Sequence, residues 1–275
     1  MDKISKALEQ ARSKRQGTNA SFVDQSVSEE AEEISDDLSI SVHENDFSVK
    51  SFTPNALTLE KNRILNHTSK EEVVQPYKVL RTRLLQILKD KNWSSIAVVS
   101  PTKNDGKTTV AINLAISIGN SLKNNAVLLD LDLLIPSIHS RYGYRPSCGL
   151  EDYFENDMPL SEILISPDME RLFIAPSTRP LRDSSELITT SKGAELITEA
   201  KSLSLDSVVI VDLPPVLVSD DAISFLPHID AVLLVVREGK TSKTDIERTQ
   251  EMLASVNIAG VVVNDSIEPT ALGYY

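Results

Sequence analysis

Short, wholly apolar segments alternate with amphipathic segments over most of the chain between residues 92 and 266. The apolar runs are the length of strands, and they are apolar at successive positions, which predicts burial on both faces of a sheet. The intervening segments carry apolar residues at helical spacing. We therefore predict a doubly wound, mainly parallel α/β sheet that binds its ligand outside the carboxyl ends of the strands.

The predicted strands cover residues 95–100, 126–132, 171–175, 207–213, 231–236 and 258–263. The predicted helices cover residues 108–122, 150–154, 160–165, 184–202, 220–226 and 242–253. A preceding helical segment, 58–91, contains an amphipathic helix that ends near Lys89. Its start is either a capping box formed by Ser69 and Glu72 or the helix-initiating residue Pro76.

The ends of the chain differ from this pattern. Residues 1–16 have the spacing of a short amphipathic helix, which is too short to be stable without a partner. Residues 17–57 are rich in acidic residues and serine, so we predict a disordered linker because too little apolar area is available for burial. It is either a solvated tether or a docking segment. Residues 267–275 are predicted to form a flexible tail that contains two tyrosines.

Charge and composition exclude several classes of function. The net charge of −12 argues against nucleic acid as a main partner, because no wide basic face is available for the phosphate backbone. The single cysteine, Cys148, provides neither a disulfide framework nor a cysteine metal site. No signal peptide or membrane span is recognisable, so we expect a cytoplasmic protein.

A polar loop with the sequence Gly106-Lys107-Thr108 lies between a predicted strand and a predicted helix. This order is typical of a phosphate-binding loop, because the unpaired N–H groups of a helix start attract an anion. We expect Lys107 to contact the β- and γ-phosphates and the Thr108 hydroxyl to bind Mg²⁺. The alternative is a chance match, since Pro101 stands where the usual motif has glycine. The predicted nucleotide contacts are Lys103, Asn104, Asp105, Gly106, Lys107, Thr108 and Thr109.

Three aspartates lie at the ends of two further predicted strands. Asp130 and Asp132 are alternate residues, so both carboxylates are expected to face one crevice, and Asp212 ends a wholly apolar strand. Such carboxylates suit Mg²⁺ binding or the deprotonation of a hydroxyl nucleophile, although they also occur as turn or helix caps. Together with the loop, they predict one Mg²⁺-nucleotide site. The catalytic candidates are Lys107, Asp130, Asp132 and Asp212, and the metal candidates are Thr108, Asp130, Asp132 and Asp212.

The segments VVSPTKNDGKTT, VLLDLDLLIPSIH and VVIVDLPPVLVSDDA resemble the bacterial tyrosine kinase family, and most closely the tyrosine autokinases of exopolysaccharide/exosortase loci. The resemblance covers the chain from about residue 72 onward, together with the N-terminal segment ISKALEQA. It implies a P-loop fold of the deviant-Walker class, which also includes partition and division-site ATPases. It further implies ATP and Mg²⁺ as cofactors and autophosphorylation that regulates exopolysaccharide or capsule synthesis or export.

The resemblance also implies roles for individual residues. By position, Asp130 and Asp132 form a second, kinase-specific Walker motif, Asp212 is the Walker B carboxylate, and Asn264 contacts adenine. The acceptors are tyrosines close to the C-terminus, here Tyr274 and Tyr275. The implied partner is the cytoplasmic tail of a membrane polysaccharide chain-length regulator, which would recruit the kinase to the inner face of the membrane.

Two motifs depart from the family pattern. Leu134 and Ile135 replace two arginines, and we expect the loss of a guanidinium to weaken turnover. The ring-forming helix motif ExxRxxR appears as Gln75, Lys78 and Arg81, which argues against ring assembly because lysine cannot form a bidentate pair. A nucleotide-dependent switch or scaffold is therefore the second hypothesis. An ATPase that moves other cargo also fits the fold, but the terminal tyrosines disfavour it.

Overall fold

A computed structural model of the chain describes residues 49–181, 184–204 and 206–266. The strands in these ranges are β1 (Lys50–Ser51), β2 (Ser95–Val99), β3 (Asn125–Asp130), β4 (Ile165–Ser166), β5 (Leu172–Ala175), β6 (Ser207–Asp212), β7 (Ala231–Arg237) and β8 (Ile258–Asn264). They form one eight-stranded sheet in the order β1-β4-β5-β3-β6-β2-β7-β8.

The helices pack on both sides of this sheet. They are α1 (Ala56–Lys61), α2 (Glu71–Lys91), α3 (Lys107–Gly119), α4 (Ile138–Tyr142), α5 (Leu150–Asn156), α6 (Leu160–Ile163), α7 (Ser184–Ile188), α8 (Ser191–Ser202), α9 (Asp220–Phe225) and α10 (Lys243–Met252), with a 3₁₀ turn at Leu226–His228. No helix among the described residues is both long enough and apolar enough to span a bilayer.

Strand β2 shows how the sheet separates two apolar cores. Ile96 and Val98 face one core, which contains the apolar residues of α2 and α3, whereas Ala97 and Val99 face the other, beneath α8 and α9. All four side chains are fully buried. This two-sided burial explains why successive residues of the strand are apolar.

The strand register determines where the functional side chains meet. Strands β5, β3, β6, β2, β7 and β8 are mutually parallel. Asp130 at the end of β3 pairs directly with Asp212 at the end of β6, and Asp212 pairs with Val98 of β2. The carboxyl ends of three neighbouring strands therefore meet at one edge, as the topology of a doubly wound sheet requires.

The predicted fold class and its strand succession are confirmed, and several boundaries are corrected. The predicted helix 184–202 is interrupted between α7 and α8. The predicted helix 160–165 ends at Ile163, because Ile165–Ser166 forms β4, which is antiparallel to β5. Helix α2 begins at Glu71 and continues through Pro76, so the proline does not start it. Its N-cap is Lys70, which forms no side-chain capping bond, so the predicted Ser69–Glu72 capping box is also wrong.

The end of the predicted linker also needs correction. Within the range 17–57, Lys50–Ser51 forms β1 and pairs in parallel with β4, and α1 begins at Ala56 with its N-terminus capped by the Asn55 side chain. Sheet pairing therefore extends further toward the N-terminus than composition suggested. The predicted helix within 1–16, the linker before residue 49 and the tail 267–275, including Tyr274 and Tyr275, lie outside the described residues.

Candidate active site

The loop between β2 and α3 is held in place by a buried aspartate. Asp105 is fully buried, and its Oδ2 accepts hydrogen bonds from the backbone N–H and the hydroxyl of Thr102, both at 2.9 Å. Its Oδ1 accepts a bond from the Thr241 hydroxyl at 3.2 Å. The Asp105 carboxylate therefore fixes the loop from within and does not line the cleft, whereas Lys103 and Asn104 do.

Gly106 stands at the junction between the loop and α3. Its φ is +97°, a conformation that side-chain-bearing residues rarely adopt, and it is the N-cap of the helix. Asn264, at the end of β8, donates a hydrogen bond from Nδ2 to the Asp105 carbonyl at 2.8 Å. A Cβ on Gly106 would lie 2.0 Å from that Nδ2 atom. Glycine is therefore required by the backbone conformation, and a larger residue would also force the Asn264 side-chain amide to move.

Lys107 is the first residue of α3, and its amine lies among carboxylates. Its Nζ atom is 2.8 Å from Asp132 Oδ2 and 3.3 Å from Asp212 Oδ1. The Thr108 hydroxyl oxygen is 3.3 Å from the same amine. The loop and the ends of two strands therefore converge on one cation.

The two aspartates of the 130–132 motif have different surroundings. Asp130 Oδ2 accepts hydrogen bonds from the backbone N–H groups of Ser137 and Ile138, at 3.1 and 2.9 Å, and so it holds the start of α4. Asp132, after the end of β3, lines the cleft and contacts Lys107. The expectation that both carboxylates face one crevice is correct for Asp132, whereas Asp130 lies fully buried beneath it.

Two carboxylate oxygens in the floor of the site have no hydrogen-bond partner among the described residues. They are Asp130 Oδ1 and Asp212 Oδ2, and both side chains are fully buried. Unpartnered buried carboxylate oxygens cost free energy unless a cation or a proton satisfies them. These two oxygens are therefore suited to receive a cation or a ligand that arrives with one.

Burial influences the pKa values of Asp130, Asp212 and Lys107. It raises the pKa of Asp130 to about 8, and the neighbouring Asp212 carboxylate adds to the rise. Burial also raises the pKa of Asp212, although the Lys107 ammonium opposes the shift. For Lys107, burial lowers the pKa, but Asp212 and Asp132 outweigh it, so the pKa is raised and the amine stays protonated.

The cleft above these groups has a volume of about 720 Å³, and it is lined by three arginines that sequence reasoning missed, Arg63, Arg141 and Arg237. Arg141 of α4 donates to the Thr109 hydroxyl at 3.1 Å. Arg237 donates to the Asn104 carbonyl at 3.2 Å and forms an ion pair with Asp265. Arg237 ends β7, so the rule that ligands bind at the carboxyl ends of strands would have found it. The short helix that carries Arg141 has no strong periodic signal.

The donor set fits a magnesium nucleotide. Positive potential for phosphate groups comes from the N-terminus of α3, from Lys107 and from Arg141 and Arg237. Among the residues that the structure describes, no group of three or more His, Cys, Asp or Glu side chains is arranged to hold a metal ion. Mg²⁺ sites in phosphoryl transfer use one or two protein carboxylates together with substrate phosphates. Asp212 and Thr108 are placed for this role.

The parallel sheet, the Gly-Lys-Thr loop at the start of α3 and the strand-end aspartates define a P-loop fold of the deviant-Walker class. Solved division-site ATPases share this architecture. MinD from Pyrococcus furiosus superposes with a TM-score of 0.50 over 62% of this chain and 70% of that one, at 23% identity. This likeness concerns the fold alone.

Comparison with known proteins confirms the resemblance to bacterial tyrosine-protein kinases. The chain is 25% identical to tyrosine-protein kinase YwqD of Bacillus subtilis over 221 residues, which cover 79% of this chain and 92% of that protein. It is 28% identical to the putative tyrosine-protein kinase EpsB of Ralstonia solanacearum over 206 residues, 73% of this chain. The chain spans only 26% of the length of EpsB. No protein-family model matches the chain.

Solved structures of this kind have the same fold. The kinase domain of Escherichia coli tyrosine kinase ETK superposes with a TM-score of 0.63 over 84% of this chain and 96% of that domain, at 23% identity. The chimerical protein CapA2B2 superposes with a TM-score of 0.69 over 80% of this chain, also at 23% identity. Sequence relatives and structural neighbours thus agree on a kinase-type P-loop domain.

Proposed function

We propose that the protein is an ATP-dependent tyrosine autokinase that regulates exopolysaccharide or capsule synthesis or export. The observation that carries the proposal is the position of Lys107, which lies at the start of α3 between Asp132 and Asp212. Phosphoryl transfer needs little from a protein beyond positioning and charge stabilisation, and this arrangement supplies both. The relatives named as tyrosine-protein kinases support the same reaction class.

In the proposed reaction, Lys107 and the N-terminus of α3 bind the triphosphate of ATP, and Asn264 lies beside the adenine. Bound Mg²⁺, held by Asp212 and Thr108, would neutralise phosphate charge. A tyrosine oxygen forms a bond to the γ-phosphorus while the bond to the β,γ-bridging oxygen breaks, so that ADP leaves. The hydroxyl proton passes to Asp132, because this is the one carboxylate of the three that lines the cleft.

Asp130 has a positioning role in this proposal. Its carboxyl group fixes the N-terminus of α4, the helix that presents Arg141 to the cleft. The proposed acceptors are Tyr274 and Tyr275. Leu134 lines the cleft at a position where the family pattern implied by the resemblance has arginine. One guanidinium fewer is then available for charge stabilisation, so we propose that turnover is slow.

A second candidate function is a nucleotide-dependent switch or scaffold of the same polysaccharide system. The contacts of Lys78 and Arg81, two residues of the ring-forming helix motif, favour it. Arg81 donates to the Ser117 carbonyl at 2.7 Å, and Lys78 pairs with Glu71 at 2.9 Å. Both cations are therefore bound within their own chain, which supports a protein that does not assemble through this helix.

The proposed partner is the cytoplasmic tail of a membrane chain-length regulator, which would bring a cytoplasmic kinase to the inner face of the membrane. We regard the partner as an activator in the autokinase proposal and as the signalling target in the scaffold proposal.

One experiment separates the two functions. The full-length protein is incubated with labelled ATP and Mg²⁺, with and without the regulator tail, and phosphotyrosine is mapped by mass spectrometry. The autokinase predicts label on Tyr274 or Tyr275 that Lys107→Ala abolishes. Normal ATP binding without any labelled tyrosine would reject the autokinase and support the scaffold.

A further inference from the structure

Exposed apolar side chains are concentrated at the mouth of the cleft. Ten large hydrophobic residues are exposed in the described part of the chain, and four of them line this cleft. Three of the four come from the loops that follow β3 and β6. These are Leu134, Ile135 and Val218, which are 44%, 56% and 51% exposed. We call Ile135 and Val218 the apolar rim. Apolar side chains that gather beside a polar site indicate a surface that binds something apolar.

The apolar rim is held at a fixed place relative to the reacting groups. The Ile135 N–H donates to the Asp132 carbonyl at 3.1 Å and to its Oδ1 at 3.3 Å. On the other loop, the Val218 N–H donates to the Pro215 carbonyl at 3.0 Å, and the Leu217 N–H donates to the Pro101 carbonyl at 3.2 Å. A ligand on the rim therefore lies directly beside Asp132.

The nucleotide does not account for the rim. Phosphates bind to N–H groups and cations, and the adenine position proposed above is at Asn264, at the end of β8. In the strand order, β3 and β6 lie on one side of β2, and β7 and β8 lie on the other. The rim is therefore across the phosphate-binding loop from the proposed adenine position. It lies on the side that is left for the phosphoryl acceptor.

The segment that follows β8 has the composition and the origin to occupy this surface. Asp265, immediately after β8, lines the same cleft. Residues 267–275 contain one charged residue, Glu268, and are otherwise mainly apolar or aromatic. An extended chain advances about 3.3 Å per residue, so Tyr274 lies within a reach of about 30 Å from Asp265. The tail can therefore return to the cleft from which it starts.

We propose that the apolar rim binds Leu272 when the tail enters the cleft, and that this contact makes Tyr274 the preferred phosphate acceptor over Tyr275. The proposal rests on the autokinase function. Alternate residues of an extended segment face the same side, so Leu272 accompanies Tyr274 toward the protein. For Tyr275 the corresponding neighbour is Gly273, which has no side chain to bury. The rim thus acts as a specificity determinant.

The test compares rim, tail and control variants of the full-length protein. We expect Ile135→Ser, Val218→Ser and Leu272→Ser each to lower the initial rate of tail phosphorylation about threefold to tenfold, because each removes apolar burial. The nucleotide-dependent rise in Tm should stay unchanged in all three. Leu122→Ser is the matched control, since Leu122 is 90% exposed and outside the cleft.

Mapping the phosphorylated tyrosine and combining the rim and tail variants test the proposal more sharply. Phosphopeptide mass spectrometry should find most of the label on Tyr274, and Tyr274→Phe should remove more label than Tyr275→Phe. The double variant Ile135→Ser/Leu272→Ser should lose less than the product of the two single effects, because both remove one contact. Equal labelling of the two tyrosines, or rim variants with the rate of the unaltered protein, would overturn the proposal while leaving the kinase intact.

A measurement that does not require catalysis separates failure of the proposal from failure of the kinase function. A photocrosslinking residue is introduced as Ile135→p-benzoylphenylalanine, and crosslinked peptides are identified after irradiation with ATP analogue and Mg²⁺. Crosslinks to 267–275 are expected, with none from the same residue at Leu122. If no phosphotyrosine forms but the crosslink appears, the autokinase is rejected and the docking of the tail stands. If the crosslink is absent, the docking proposal is rejected.

Discussion

Replacing Gly106 by alanine should destabilise the protein in an amount that the structure allows us to estimate. The φ of +97° places an alanine in a disfavoured conformation, which costs about 1–2 kcal/mol. The new Cβ would lie 2.0 Å from Asn264 Nδ2, so the amide must move and lose its 2.8 Å hydrogen bond to the Asp105 carbonyl. That loss adds about 1 kcal/mol. We expect the free energy of unfolding to fall by about 2–3 kcal/mol in total.

The chain provides a matched control for this substitution. Gly239 also has a positive φ, +67°, but a Cβ there would have no neighbour within 4 Å. Gly239→Ala should therefore show the conformational cost alone, about 1 kcal/mol. Urea denaturation of both variants without nucleotide measures the difference. In the double variant Gly106→Ala/Asn264→Ala the clash is absent, so its effect should be smaller than the sum of the single effects by about 1 kcal/mol.

Two outcomes would refute this reasoning. If Gly106→Ala is no more destabilising than Gly239→Ala, the close approach of β8 to the phosphate-binding loop is wrong. If the effects of Gly106→Ala and Asn264→Ala are additive, the two residues are not in contact. Either result would also remove the structural support for placing Asn264 at the nucleotide.

Three further substitutions test how charge is distributed in the site. Lys107→Ala should abolish the rise in Tm that ATP and Mg²⁺ produce, because it removes the cation at the start of α3; an unchanged rise in thermal-shift measurements would place the nucleotide elsewhere. Leu134→Arg should increase phosphate transfer per unit time in the labelled-ATP assay if the missing guanidinium limits turnover, and an unchanged rate contradicts that explanation. The pKa of Asp130 is raised to about 8, so between about pH 4 and pH 8 the folded protein holds a proton that the unfolded chain has released. The free energy of unfolding of the nucleotide-free protein should therefore fall as pH rises through this window. Asp130→Asn should weaken that dependence in urea titrations at several pH values, and equal slopes for the two proteins would show that Asp130 does not carry this proton.

The sequence by itself was sufficient for the general architecture. The six parallel strands were predicted within a few residues. In five of them burial on both faces demands an apolar residue at nearly every position, whereas the edge strand β8 is apolar but largely exposed. The edge at which the ligand binds followed from topology, since right-handed crossovers bring the carboxyl ends of parallel strands together. Glycine followed by lysine and threonine after a strand was specific enough to locate the loop, because the chemistry depends on adjacent residues.

Only the tertiary structure decided which groups meet across the site. It placed Asp132 and Asp212 on Lys107, turned Asp130 to the start of α4, and brought Arg141 to Thr109. It also paired Lys50–Ser51 with β4, in a range whose composition predicted a linker. These contacts join residues that are far apart in sequence, and they depend on strand register and loop conformation. Local periodicity encodes the burial of each segment, but it contains no information about which distant segment lies beside it.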